Sequence, residues 1–65
     1  MRFDIEFFHR SEEHPEGKTV RRNSGQFASE RDAETYGLIK LPEGANGFHI
    51  WTDGALRKTV RILTG

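Results

Sequence analysis

The sequence predicts a single small α+β domain over residues 1–65, with one helix packed on one face of a mostly antiparallel four-stranded sheet (ββαββ). Three patterns support this fold class. The N-terminal segment alternates apolar and polar residues, a helix-start signal follows in the middle of the chain, and two strand-like segments meet at Asp53 and Gly54. One helix laid across one sheet face is the simplest arrangement that buries these apolar residues.

The first predicted strand covers residues 2–10, and its alternate residues form an apolar face made of Phe3, Ile5 and Phe7. Phe8 breaks the alternation, because it shares the opposite face with two acids and Arg10. A poorer second strand is predicted over residues 18–23, with Val20 as its only aliphatic side chain. Its lysine and arginines are typical of a sheet edge, where cations discourage pairing with other chains. Residues 24–26 are expected to end it.

The helix is predicted to begin after Ser29, which is followed three residues later by Asp32 in the pattern of a capping box. Gly37 admits two interpretations: a left-handed cap that ends the helix early, or a close contact of the helix with the sheet. Pro42 sets the outer limit of the helix, because the residue before a proline is biased away from helical geometry.

Two registers are open to the C-terminal hairpin. A two-residue turn at Asp53 and Gly54 pairs Trp51 with Leu56 and leaves both faces mixed. A three-residue loop over residues 52–54, with Gly54 left-handed in a bulge, pairs Trp51 with Ala55. It gathers one apolar face, interrupted by Lys58 and made of Phe48, Ile50, Leu56, Val60 and Ile62. We favour the three-residue loop, because the hydrophobic pattern normally selects the register.

This register decides the predicted position of Trp51. The three-residue loop leaves it outside the core, whereas the two-residue turn is expected to place it in the core with Leu56. In the favoured register the face opposite the core carries His49, Trp51, Arg57, Thr59 and Arg61. The predicted core is Phe3, Ile5, Phe7, Val20, Phe27, Ala33, Tyr36, Leu41, Phe48, Ile50, Leu56, Val60 and Ile62.

Composition and motifs argue against several function classes. The ten basic and ten acidic residues give no net charge, and the chain has no cysteine for a disulfide or a thiolate metal site. The histidines His9, His14 and His49 lack metal-ligand spacing, and the sequence contains no nucleophile elbow or phosphate loop. We therefore expect no enzyme activity, metal or cofactor. No apolar run reaches the length of a signal peptide or a membrane span, so we expect a cytoplasmic protein without membrane contact.

The predicted functional site is the sheet face opposite the helix. Aromatic and arginine side chains are typical anchors of protein interfaces, and this face is predicted to carry Phe8, His49, Trp51, Arg57 and Arg61. The primary hypothesis is a non-enzymatic interaction module that binds itself as a homodimer or modulates a larger protein. The alternative is single-stranded nucleic-acid binding by the same residues, since aromatic sheet faces flanked by cations can stack bases.

Overall fold

The structure is a computed structural model that describes residues 1–62. The chain forms β1 (Arg2–His9), β2 (Lys18–Gln26), α1 (Glu30–Ile39), β3 (Gly47–Thr52) and β4 (Ala55–Arg61). The strands form one antiparallel sheet in the order β2-β1-β3-β4, and α1 packs against the two central strands. The predicted ββαββ fold is confirmed, and β2 lies at an edge as its cations indicated.

The helix begins where the capping pattern predicts. The side chain of Ser29 accepts a hydrogen bond from the backbone N–H of Asp32 at 3.2 Å, and the backbone N–H of Lys40 closes the last turn on Tyr36. Gly37 lies within the helix, where a Cβ atom would come 2.6 Å from the ring of Phe48. Of its two interpretations, the close contact with the sheet is therefore the one observed.

The hydrophobic core lies between α1 and the sheet. Its fully buried members are Phe3, Ile5, Phe7, Ala33, Phe48 and Ile50, and the partly buried side chains around them are Phe27, Tyr36, Leu41, Ala45 and Val60. Two residues predicted in this core lie outside it, because Val20 is 43% exposed and Leu56 is 49% exposed. Ile62 is half-buried but is not a member of this cluster.

The second strand is longer than predicted. Residues 24–26 continue β2 instead of ending it, because Ser24 pairs with Asp4 and Gly25 pairs with Phe3. Val20 is the extra residue of a bulge in this strand, between the pairs Arg21–Phe7 and Thr19–Phe8. The bulge accounts for the exposure of Val20 at the sheet edge.

The hairpin turn corrects the predicted register. Thr52 pairs with Ala55 and Trp51 pairs with Leu56, so the loop contains only Asp53 and Gly54. Both loop residues are left-handed, with φ of 51° and 76°, as a type I′ turn requires. The predicted three-residue loop is wrong. Ala55, which the three-residue loop pairs with Trp51, instead pairs with Thr52 next to the turn.

A bulge at Arg57 then returns the rest of β4 to the predicted faces. Beyond it Ile50 pairs with Lys58 and Phe48 pairs with Val60, so the apolar side of β4 faces the helix. Trp51 stays on the other side, and the expectation that a two-residue turn would place it in the core is wrong.

The bulge also reverses the predicted position of Arg57. Its Nε atom lies 3.2 Å from Oε1 of Glu30 in α1, and the neighbouring Lys58 reaches Glu34 of the same helix at 2.7 Å. Arg57 therefore lies on the helix side of the sheet, and its predicted place beside Trp51 is wrong.

Candidate interaction surface

The sheet face opposite α1, called here the open face, presents three rows of side chains across the four strands. No helix or strand within residues 1–62 lies over it. The rows follow the strand register from β2 to β4. They are Ser24, Asp4, Trp51, Leu56; then Arg22, Glu6, His49, Thr59; then Thr19, Phe8, Gly47, Arg61.

Trp51 lies on β3 in the first row, and its side chain has a fixed orientation. Its indole Nε1 donates a hydrogen bond to Oε1 of Glu6 at 3.2 Å, and the ring of His49 stands edge-on to it at a centroid distance of 6.3 Å. The indole is half-buried, and Leu56 beside it is 49% exposed. The open face thus has an apolar centre whose largest ring is already held in place.

The two acids on this face are internally paired. Glu6 also accepts a hydrogen bond from the hydroxyl of Thr19 at 2.7 Å. Asp4 accepts one from the hydroxyl of Ser24 and lies 3.4 Å from a guanidinium nitrogen of Arg22. The Ser24 hydrogen bond, with Arg22 adding to it against the effect of burial, lowers the pKa of the Asp4 carboxyl below 3.8. Both carboxyl groups are therefore paired within a hydrogen-bonded network on the sheet.

Phe8 lies beneath the open face and is only 2% exposed. The ring of His49 packs on it at 4.6 Å, and the guanidinium carbon of Arg10 lies 5.3 Å from its centroid. A glycine is required opposite it, since a Cβ atom on Gly47 would lie 2.6 Å from Cζ of Phe8. Phe8, predicted as a partner-binding residue, is thus a buried side chain against which the ring of His49 packs.

His49 connects the aromatic residues to β4. Its Nδ1 lies 2.8 Å from the hydroxyl of Thr59. Burial lowers the pKa of the imidazole below 6.5, the neighbouring Arg10 lowers it further, and the carboxylate of Glu6 opposes both effects. The ring is therefore mostly neutral near pH 7 and contributes as an aromatic surface rather than as a cation.

The structure brings together three of the five predicted site residues. His49, Trp51 and Arg61 project from neighbouring strands on the open face, whereas Phe8 lies below it and Arg57 lies on the helix side. The prediction from sequence omitted Leu56, which the turn register moves beside Trp51. The alternation of β4 gave no sign of this shift, because the bulge at Arg57 interrupts it.

Asn46 is a second residue that the sequence prediction missed. Its side-chain amide accepts a hydrogen bond from the backbone N–H of Arg10 at 2.8 Å and donates one to the Arg10 carbonyl at 2.9 Å. Its own backbone pairs with Phe8 and Ile62. Asn46 thus imitates an additional strand residue and fixes Arg10 over Phe8, a role that an asparagine in a polar loop does not reveal.

Neither a metal site nor a membrane span is found in the described part of the chain. No three His, Asp or Glu side chains of residues 1–62 are grouped to hold a metal ion, and no helix there is long and apolar enough to cross a bilayer. Comparisons of the chain with protein families, with curated proteins and with solved structures found no match. The geometry of the open face is therefore the basis for a functional proposal.

Proposed function

We propose that this chain is a non-enzymatic interaction module that binds a protein through its open face, either a second copy of itself or a larger protein. The observation that carries the proposal is the position of Trp51. The indole lies on a sheet face that no helix or strand of residues 1–62 covers, donates a hydrogen bond to Glu6 at 3.2 Å, and adjoins the half-exposed Leu56. Tryptophan is the side chain most enriched among the residues that dominate binding energy at interfaces.

The fixed orientation of Trp51 supports this role on energetic grounds. Ordering a free side chain on binding costs about 0.5–1.5 kcal/mol. Because Glu6 and His49 already restrain the indole, this part of the entropy cost falls on folding rather than on association. The surrounding polar groups are paired with each other, so a partner that covers the apolar centre leaves fewer groups unsatisfied.

The same geometry argues against the alternative of single-stranded nucleic-acid binding. Phe8 is enclosed and offers no ring for a base to stack on. Asp4 lies directly opposite Trp51, and Glu6 lies opposite His49, so carboxylates flank both remaining rings. They would repel the phosphates that supply most of the affinity of such complexes. A protein partner needs neither an exposed Phe8 ring nor a surface free of carboxylates.

The proposal is tested by placing a charge at the apolar centre without disturbing the core. Leu56→Glu changes a 49% exposed side chain beside Trp51, and Ile39→Glu is its matched control because Ile39 is 72% exposed at the end of α1. Sedimentation equilibrium of the wild type and both variants gives the solution mass. We expect a dimer that Leu56→Glu dissociates and Ile39→Glu preserves.

If the wild type is a monomer, the same two variants are used to test binding to a larger protein. Proteins retained by immobilised wild type and by Ile39→Glu, but lost with Leu56→Glu, would then identify the open face as the binding surface. A strict monomer whose retained proteins are the same for both variants would refute the proposal. Trp51 fluorescence that is quenched by oligonucleotides, with an effect that weakens steeply as salt rises, would favour the nucleic-acid alternative instead.

A further inference from the structure

A cavity of about 210 Å³ lies at one end of the open face, where β1 and β4 both end beside β3. Its lining combines two cations with two apolar side chains, and consists of Phe8, Arg10, Asn46, Arg61 and Ile62. No acidic residue of the described chain is part of this lining. Among residues 1–62, no acid in this lining offsets the charge of Arg10 and Arg61, and apolar side chains lie beside them.

A second observation shows that one of these cations has unused hydrogen-bonding capacity. The Nε atom of Arg10 is buried, yet it has no hydrogen-bond partner within residues 1–62. A buried donor without an acceptor is costly, and such groups are uncommon in folded proteins. The side-chain oxygen of Asn46 accepts from the backbone N–H of Arg10 and forms no hydrogen bond with Nε. Arg10 therefore lines the cavity as a cation with a donor that no residue of 1–62 pairs.

We propose that Arg10 and Arg61 bind the carboxylate of a small organic acid, whose apolar part lies against Ile62 beside the largely enclosed Phe8. Guanidinium groups present planar, paired donors that match a carboxylate in shape and charge. The apolar lining favours a carboxylate attached to a hydrocarbon or aromatic group over a fully hydrated inorganic anion. The cavity is smaller than most drug-sized sites, so the ligand is small.

The cavity adjoins the proposed partner surface and shares Arg61 with it, but neither Trp51 nor Leu56 lines the cavity. A change at Leu56 therefore tests the partner surface without removing a residue of the carboxylate site. The Leu56→Glu variant provides this check, because it should bind the acid as the wild type does.

Benzoate is the probe for the test, with acetate and inorganic phosphate compared at the same ionic strength. ¹H–¹⁵N spectra of the full chain follow the Nε–H of Arg10 and the backbone amides of Asn46 and Arg61. We expect saturable shifts with benzoate, and weaker binding of acetate and phosphate. Arg61→Gln should weaken benzoate binding by about tenfold, because it removes one charge-assisted contact. Arg61 is exposed, so this variant should fold.

Arg31→Gln serves as the control, because Arg31 is an exposed arginine on α1 and does not line the cavity. It should leave the affinity for benzoate unchanged. Three outcomes would overturn the proposal: no saturable shift with benzoate, equal responses to benzoate, acetate and phosphate, or equal weakening by Arg31→Gln and Arg61→Gln. Any of them would mean that the arginines attract anions only through general charge.

Discussion

His49 couples the electrostatics of the open face to pH. Its pKa lies below 6.5 because the ring is partly buried and Arg10 is nearby, while Glu6 acts in the opposite direction. Below pH 6.5 the unfolded chain binds a proton at this position more readily than the folded protein does. The free energy of unfolding contributed by His49 is therefore complete above pH 6.5, and is lost as the pH falls from there through the folded-state pKa.

Glu6→Gln tests this balance of charges. Removing the carboxylate eliminates the attraction that raises the pKa of His49, so we expect the imidazole to titrate at a lower pH than in the wild type. Glutamine retains an oxygen that can accept the hydrogen bond from Trp51. An NMR titration of the His49 ring protons measures both pKa values. A pKa of His49 above 6.5 in the wild type, or one that Glu6→Gln raises, would contradict this assignment of causes.

The β3–β4 hairpin depends on a turn that few residues can form. Asp53 and Gly54 have φ of 51° and 76°, and a side chain at the second position is strained there whatever the space around it. We expect Gly54→Ala to lower the free energy of unfolding by about 1 kcal/mol. Asp53→Asn should change it by only a few tenths, because asparagine accepts left-handed geometry. Urea unfolding measures both effects.

The contact between Thr52 and Ala55 shows whether Gly54→Ala retains the register. Nuclear Overhauser effects between these residues should persist in both variants, since the pairing beyond the turn is unchanged. A Gly54→Ala variant as stable as the wild type would mean that the hairpin can form a turn in which residue 54 is not left-handed.

Local pattern predicted the elements better than it predicted their irregularities. Alternation placed Phe3, Ile5 and Phe7 in the core, and the capping pattern at Ser29 located the start of α1. The bulge at Arg57 is a property of two paired strands, so alternation within one strand could not predict it. The two-residue turn changes which face each residue of β4 occupies, and the bulge at Arg57 changes it back. The predicted face of Val60 is therefore correct although the predicted loop is wrong.

The candidate site was harder to predict than the core, because burial on the open face comes from polar neighbours. Phe8 is enclosed by Arg10, His49 and two glycines, none of which an apolar pattern counts as a covering residue. The predicted position of Arg57 is wrong for a similar reason, because its side chain pairs with the carboxylate of Glu30 in α1. Contacts of this kind join residues that are distant in sequence and carry no periodic signal.

The two layers of the molecule meet where Gly37 of α1 faces the ring of Phe48 in β3. Phe48 is fully buried and also packs edge-on against Phe7 at 5.7 Å, so its ring cannot move aside without disturbing the core. A Cβ atom on Gly37 would lie 2.6 Å from two atoms of that ring. The absence of a side chain at this position therefore sets how closely the helix approaches the sheet.

Gly37→Ala places helix propensity and packing in opposition. Alanine stabilises a helix interior relative to glycine by about 1 kcal/mol, whereas forcing extra atoms into a packed core costs about 1–3 kcal/mol. We expect packing to dominate, with a net loss of about 1 kcal/mol in urea unfolding and shifted ring resonances of Phe48. Thr35→Ala, on the exposed side of α1, is the control and should be neutral or slightly stabilising. If Gly37→Ala stabilised the protein as much as propensity allows, the helix would have room to rise from the sheet.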